Sequence, residues 1–229
     1  MAPRRANPVA MASPMPEVDP VTTQVLPFMV CTGQGYPRTV TDPLDARDRQ
    51  ALTAAVSAGA RPKFLFFWGH TGQADAVGPW VLSQWYPSPF EVDGRRYDTA
   101  EHWMMAGKAK LFGDQVHHDA ILEARSPGEV KDLGRRVQGF DDATWQAHRF
   151  ELVVQGSMHK FSQDPGLGEY LRQTRNRVLV EASPRDRIWG IGLAQDHPDA
   201  SRPEGWKGAN LLGFALMEAR TRLGAAEPS

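Results

Sequence analysis

Eight of the chain's eighteen prolines fall within residues 1–43. Each proline removes a backbone donor and locks φ, so a segment this dense in them sustains neither a regular helix nor an inner strand. With little apolar surface to bury, it also cannot offset its own ordering entropy. The expectation is a flexible leader over residues 1–40, proline-dense to about Pro37. Its one apolar patch, Val25 to Val30, is a candidate docking arm. The fold must then come from residues 41–224, with 225–229 as a tail. The hydrophobic fraction of 41% and charged fraction of 23% are ordinary for one globular domain with a real core.

Formal net charge is -1, so the molecule as a whole has no strong pull on nucleic acid or anionic lipid, although a local basic patch remains allowed. Cys31 is the only cysteine, which excludes an intrachain disulfide and any multi-cysteine metal site. No apolar run of about 18 residues is present to span a membrane. Arg4 and Arg5 lack the apolar stretch of a signal peptide behind them, so a cytoplasmic location is expected. Seven histidines without HExxH or cysteine partners specify no metal, and Ser157 and Ser183 lack a nucleophile-elbow context. His117-His118 reads as a surface pair.

Local signals lay out the rest. Asp42-Pro43 reads as a helix start, the helix running through Leu44 and Leu52 to Val56 and stopping near Gly59. Lys63 to Trp68 reads as a buried strand, and Phe90 to Tyr97 as a hairpin around Asp93-Gly94. Helices follow from Asp98 or Thr99 to about Phe112, from His117 to Ala124, from Ser126-Pro127 through Leu133, from Asp141 to Lys160 and from Leu167 to Gln173. Arg177 to Glu181 is a second strand, and a last helix spans about Leu211 to Leu223, with Leu212, Leu216, Ala219 and Leu223 on one face. The expected class is α+β, one predominantly helical domain with a small β-sheet near the start of its ordered part.

The Asp98–Phe112 stretch carries the chemistry. On a helix, Glu101, Met104, Met105, Lys108 and Phe112 form one stripe, with His102 and Lys110 on the other side. The middle of that stripe is apolar and should face the core. Yet it holds a carboxylate and an amine separated by a rise of about 10 Å. Buried unpaired charges are costly and persist where a partner or a function retains them. A cleft floored by this helix would satisfy the pattern. Two structural explanations compete: a capping box with Glu101 at its third helical position, and Lys108 snorkelling to water.

Other features are weaker. Glu181 and Asp186 sit where a strand end passes into a loop, a common place for catalytic carboxylates, with Trp189 placed to stack on a flat ring. An Asx-type turn at Asp186 and a core tryptophan at 189 explain the same residues. Asn210 stands where a helix N-cap belongs, and Lys207 with the Gly-containing helix start offers a phosphate site. Arginines cluster at 135–136, 172–177 and 185–187. They are either solvated charges or, with Trp68, Trp80, Trp85 and Trp189, a surface for pyrophosphate and bases.

Tyr97-Asp98-Thr99-Ala100-Glu101-His102-Trp103-Met104-Met105-Ala106-Gly107-Lys108-Ala109 resembles the core motif of the NADAR (YbiA-like) family. So do Phe64–Trp68, Leu82–Phe90, Lys131–Arg135, Lys160-Phe161 with Gln163, Leu179–Glu181, Ser183–Asp186 with Trp189-Gly190, and Trp206–Gly213. Their order is kept from about Arg61 to Leu223. The chain departs at Ser83-Gln84-Trp85, where the family often reads Ser-Asn-Phe. The resemblance implies a mostly helical fold and cleavage of an N-glycosidic bond to a phosphorylated ribose; no cofactor or metal is expected. The substrate it points to first is ADP-ribose on guanine, in DNA, RNA or a nucleotide; riboflavin-pathway N-ribosides are the alternative. Carried over, Glu101, Lys108 and Asp186 become catalytic candidates. Trp68, Ser83, Glu181, Trp189, Gly190, Lys207 and Asn210 become substrate-binding candidates.

Two routes remain open. In one, paired carboxylates stabilise an oxocarbenium-like ribose and activate water. In the other, which is slightly preferred, Lys108 attacks the anomeric carbon and forms a Schiff base. A non-catalytic module binding ADP-ribose or NAD is the rival from another class; it would gain nothing from Glu101.

Overall fold

The structure is a computed structural model that describes residues 42–72 and 76–226. The leader, Cys31 and the Val25–Val30 patch lie outside the described residues. The chain enters through a single 3-10 turn at Pro43–Asp45, capped by the Asp42 side chain on Leu44 N. It then breaks and restarts as helix α1, Arg49–Ser57, capped by Asp48 on Ala51 N. One continuous helix from Asp42 was expected. The second acidic cap divides it, and Arg47 in the break pairs with Glu218.

Strand β1 (Lys63–Phe67) leads through a loop and a 3-10 turn at Pro79–Leu82 to the hairpin β2 (Phe90–Val92) and β3 (Arg95–Tyr97). Asp93 and Gly94 take positive φ values of 52° and 72°, the geometry of the tight turn expected there. Helices α2 (Ala100–Leu111), α3 (Gln115–Glu123), α4 (Pro127–Arg135), α5 (Asp142–Gln163) and α6 (Pro165–Gln173) follow, each with a side-chain N-cap. Strand β4 (Arg177–Glu181), a long loop and helix α7 (Leu211–Ala226) complete the fold.

The class is the expected one, mostly helical with little sheet. The sheet differs in where it gets its strands. β1 pairs in parallel with β4, Lys63 opposite Arg177 and Phe67 opposite Glu181, while β2 and β3 form a separate antiparallel pair. A parallel pair needs a crossover, and residues 68–176 supply it. The end of β1 therefore lies beside Glu181, far along the sequence.

α7 packs along α5 and β4, and α2 packs against α3, α4 and α5. Val178, Leu179, Val180, Phe214, Leu216 and Met217 are fully buried where these layers meet. Each such aliphatic or aromatic side chain contributes roughly 1.5–3 kcal/mol. An aromatic group of Phe90, Tyr97, Trp103 and His159 fastens the hairpin to α2 and α5. Among the described residues no helix is long and apolar enough to cross a membrane.

Candidate active site

α2 is buried on more than one face, which corrects the single-stripe expectation. His102 is 3% exposed, because α3 covers it; its ring bonds Thr99 Oγ1 at 2.8 Å and Ala124 O at 3.1 Å. The N-cap of α2 is Thr99, so Glu101 is the second helical residue and no capping box forms. Its backbone N–H instead donates to Gln84 O at 3.0 Å. The Glu101 side chain is buried and faces an open cavity of about 900 Å³ that Trp85 also lines.

Most of that cavity is built by four parts of the chain, with Trp145 of α5 and Leu212 of α7 adding to its wall. α2 supplies Glu101, Met104, Met105 and Lys108; the segment before the hairpin supplies Ser83, Gln84 and Trp85; α4 supplies Lys131, Gly134 and Arg135. The end of β4 and its loop supply Glu181, Asp186 and Trp189. Trp68, 62% exposed, and the exposed residues Arg185, Arg187 and Ile188 also line the cavity. Among the described residues no cluster of histidine, cysteine and carboxylate side chains is placed to hold a metal.

Burial dominates the electrostatics. It pushes the Glu101 carboxyl up to about 7, against the opposing pull of Lys131, the Trp85 side chain and Arg135. Glu181 is pushed up to about 8, by burial first and then by the charges of Asp186 and Glu101. Its Oε2 is buried without a hydrogen-bond partner among the described residues, as are both amide atoms of Gln84. Near neutral pH the site thus holds a largely protonated Glu181 beside a Glu101 poised between its two forms. Lys108 does not snorkel free. Its Nζ donates to Gly134 O at 2.8 Å and lies 4.4 Å from the Phe140 ring centroid, and burial lowers its pKa.

Asp186 forms the expected Asx-type turn: its Oδ1 accepts from Ile188 N and Trp189 N, both at 2.8 Å. The turn folds residues 183–190 back onto the end of β4. Gly190 permits this, since an added Cβ would lie 2.8 Å from Glu181 O. Gly190, Lys207 and Asn210 do not line the cavity. Lys207 is exposed and offers no phosphate site at the cavity. Asn210 is fully buried, and its side chain turns to β4, accepting from Glu181 N at 3.0 Å and donating to Leu179 O at 2.9 Å. It is a tie for the strand that carries Glu181, in place of a side-chain cap.

His118 is also buried, bonded to Asp119, so the surface-pair reading fails there. Of the arginine clusters, 135 and 185–187 reach the cavity and 172–177 do not; Trp80 is likewise absent from its wall. Sequence reasoning passed over Lys131 and Gln84 as site residues. Lys131 lies 5.7 Å from the Trp85 ring centroid and is the strongest opposing charge on Glu101. Its spacing to Gly134 and Arg135 on one face of α4 was the available signal.

The NADAR domain profile matches residues 66–224. The chain is 42% identical over 163 residues to the N-glycosidase R617 of Acanthamoeba polyphaga mimivirus, spanning 69% of this chain and 95% of that protein. It is 30% identical over 135 residues to the N-glycosidase YbiA of Escherichia coli (strain K12), spanning 59% and 76%. The NMR structure of the E. coli protein YbiA superposes with a TM-score of 0.58 at 25% identity, covering 72% of this chain and 88% of that one.

Proposed function

The chain belongs to the NADAR domain family, with relatives named as N-glycosidases, and on that premise we propose that its cavity hydrolyses the N-glycosidic bond between a base nitrogen and a phosphorylated ribose. The substrate class we assign is ADP-ribose on guanine. One observation carries the reading: a half-buried amine of lowered pKa and two buried carboxyls of raised pKa open onto the same cavity. Such groups are costly to a resting fold and suit proton transfer near neutrality.

In the proposed reaction the neutral Lys108 amine attacks the anomeric carbon as the bond to the base nitrogen breaks. The leaving nitrogen takes a proton from the protonated Glu181. The amine proton passes by way of Glu101 to the ring oxygen, and the ring opens to an imine on Lys108. Water adds to that imine, the lysine leaves, and Glu181 is reprotonated. The net change is one water consumed, with free base and free reducing-end ribose released. Asp186 shapes the loop and holds the Glu181 proton through its charge. Lys131, Arg135, Arg185 and Arg187 supply the positive mouth a pyrophosphate needs, while Trp68 and Trp189 offer faces for stacking.

The deciding experiment is a product assay. ADP-ribosylated guanine, in DNA and as a nucleotide, is incubated beside a riboflavin-pathway N-riboside. Release of unmodified guanine with ADP-ribose supports the assignment. Cleavage of the riboflavin intermediate alone would move the substrate class, and tight binding of ADP-ribose without any product would make the cavity a binding module.

A further inference from the structure

The largest fully buried side chain in the described fold is a lysine outside the cavity. Lys160, on α5, is 1% exposed. Its Nζ donates to Ser83 O at 2.8 Å and lies 5.5 Å from the Tyr86 ring centroid and 5.2 Å from that of Phe161. Among the described residues, the charge of Asp164 acts on this amine. A methionine would fill much the same space without desolvating an amine, so the bond to Ser83 O is what the amine adds.

Ser83 begins a short strut. Its carbonyl also accepts from Tyr86 N at 3.3 Å, and its Oγ accepts from Trp85 N at 3.2 Å. The next carbonyl, Gln84 O, accepts the Glu101 N–H. The Trp85 side chain then acts on the Glu101 carboxyl, favouring its ionised form. We infer that Lys160 is a positioning residue for the reaction: by holding Ser83 O it fixes the 83–85 wall, and through that wall the bond from Glu101 N to Gln84 O and the place of Trp85 beside the Glu101 carboxyl. The catalytic half of this inference rests on Glu101 working in the cavity as proposed above.

Burial pushes the Lys160 ammonium down to about 7. Either protonation form still donates one hydrogen bond, so the strut does not depend on the charge. The Glu101 titration is the sensitive reporter, because the Trp85 side chain favours its ionised form. Lys131 and Arg135 on α4, Glu181 on β4 and Asp186 in the following loop are the other charges facing it, and none is altered by a change at position 160.

The test is carboxyl-carbon NMR of glutamate-labelled full-length protein, wild type against Lys160→Met, without substrate, followed by steady-state kinetics on the substrate found for the wild type. Loosening the wall should raise the Glu101 pKa by at least about 0.5, lower kcat about tenfold or more and leave KM within about twofold. Should the methionine variant fail to fold, Lys160→Gln repeats the test, since its amide is one bond too short to reach Ser83 O. A folded variant whose Glu101 titrates as in wild type overturns the inference. So does unfolding of both variants, which would make the amine a requirement of folding alone. A shifted Glu101 titration with unchanged turnover leaves the strut standing and removes Glu101 from the chemistry.

Discussion

The side-chain carbonyl of Asn210 accepts the backbone N–H of Glu181 at 3.0 Å, across 29 residues of sequence. The same amide donates to Leu179 O, so one residue closes two open positions on the side of β4 away from β1. Asn210 also holds a left-handed backbone, φ 56°, which asparagine tolerates better than most residues.

Asn210→Ala should therefore destabilise the fold by about 2–4 kcal/mol, because it strands a buried donor and a buried acceptor and adds left-handed strain. Asn210→Asp keeps the acceptor for Glu181 N and, with its carboxyl protonated, also a donor for Leu179 O, so it should cost less at low pH and more where an ionised carboxylate would face that carbonyl. Urea denaturation of the two variants checks the order. An Asn210→Ala protein of native stability with weakened substrate binding would instead make Asn210 a ligand contact.

This tie shows where sequence reading stops. Caps and turns are written in neighbouring residues, so Asp93-Gly94, Ser126-Pro127 and Asp141 marked their elements correctly, while Asp42-Pro43 opened a short turn in place of the helix read there. The Glu101–Lys108 stripe was legible for the same reason, since helical spacing alone puts both on one side. What escaped depends on which elements meet. β1 alone does not reveal β4 as its partner. The burial of His102 needs α3 over it, and the place of Lys131 opposite Glu101 needs α4 folded across α2. Asn210 satisfied a local pattern, the helix start, and was claimed by a distant strand.

The buried carboxyls should set the pH behaviour of both stability and turnover. Glu101 and Glu181 keep their protons to about 7 and 8 in the folded chain, whereas unfolded glutamates release theirs near the ordinary value of 4.5. Between those values the folded state binds more protons, so their contribution to stability is full below pH 4.5 and is lost as pH rises through 7 and 8. Glu181→Gln should consequently be more stable than wild type at pH 9, by on the order of a few kcal/mol, and little changed at pH 5. Thermal melts at the two pH values measure this; an equal effect at both would mean that Glu181 is ionised throughout. Turnover, which needs Glu101 able to accept a proton and Glu181 able to give one, should peak between about 7 and 8.

Trp189 is half-buried in the cavity wall, held there by the Asp186 turn. Trp189→Ala should raise KM about tenfold through lost stacking and leave kcat within a few fold. Glu101→Gln should do the reverse, lowering kcat about a hundredfold or more with KM little changed. Kinetics on the two variants in parallel decide the matter. Loss of folding in Trp189→Ala would assign that ring to the core.

Lys108 carries the sharpest prediction. Its amine is held by one carbonyl, Gly134 O, and by the face of Phe140, in surroundings that favour the neutral form. A neutral amine can attack an anomeric carbon, and the imine that follows ring opening is reducible. Borohydride added during turnover should leave a ribose-bearing fragment on the peptide that contains Lys108, detectable by mass spectrometry after digestion. Lys108→Arg keeps a donor for Gly134 O and a cation over Phe140 but forms no imine, so it should stay folded and lose turnover by a factor of about a thousand or more. Glu101→Gln should slow formation of the adduct without removing its site. If Lys108→Arg turns over near the wild-type rate and nothing is trapped, the covalent route is wrong. The reaction would then run through the carboxylates, with Glu181 protonating the leaving nitrogen and Glu101 directing water at the anomeric carbon.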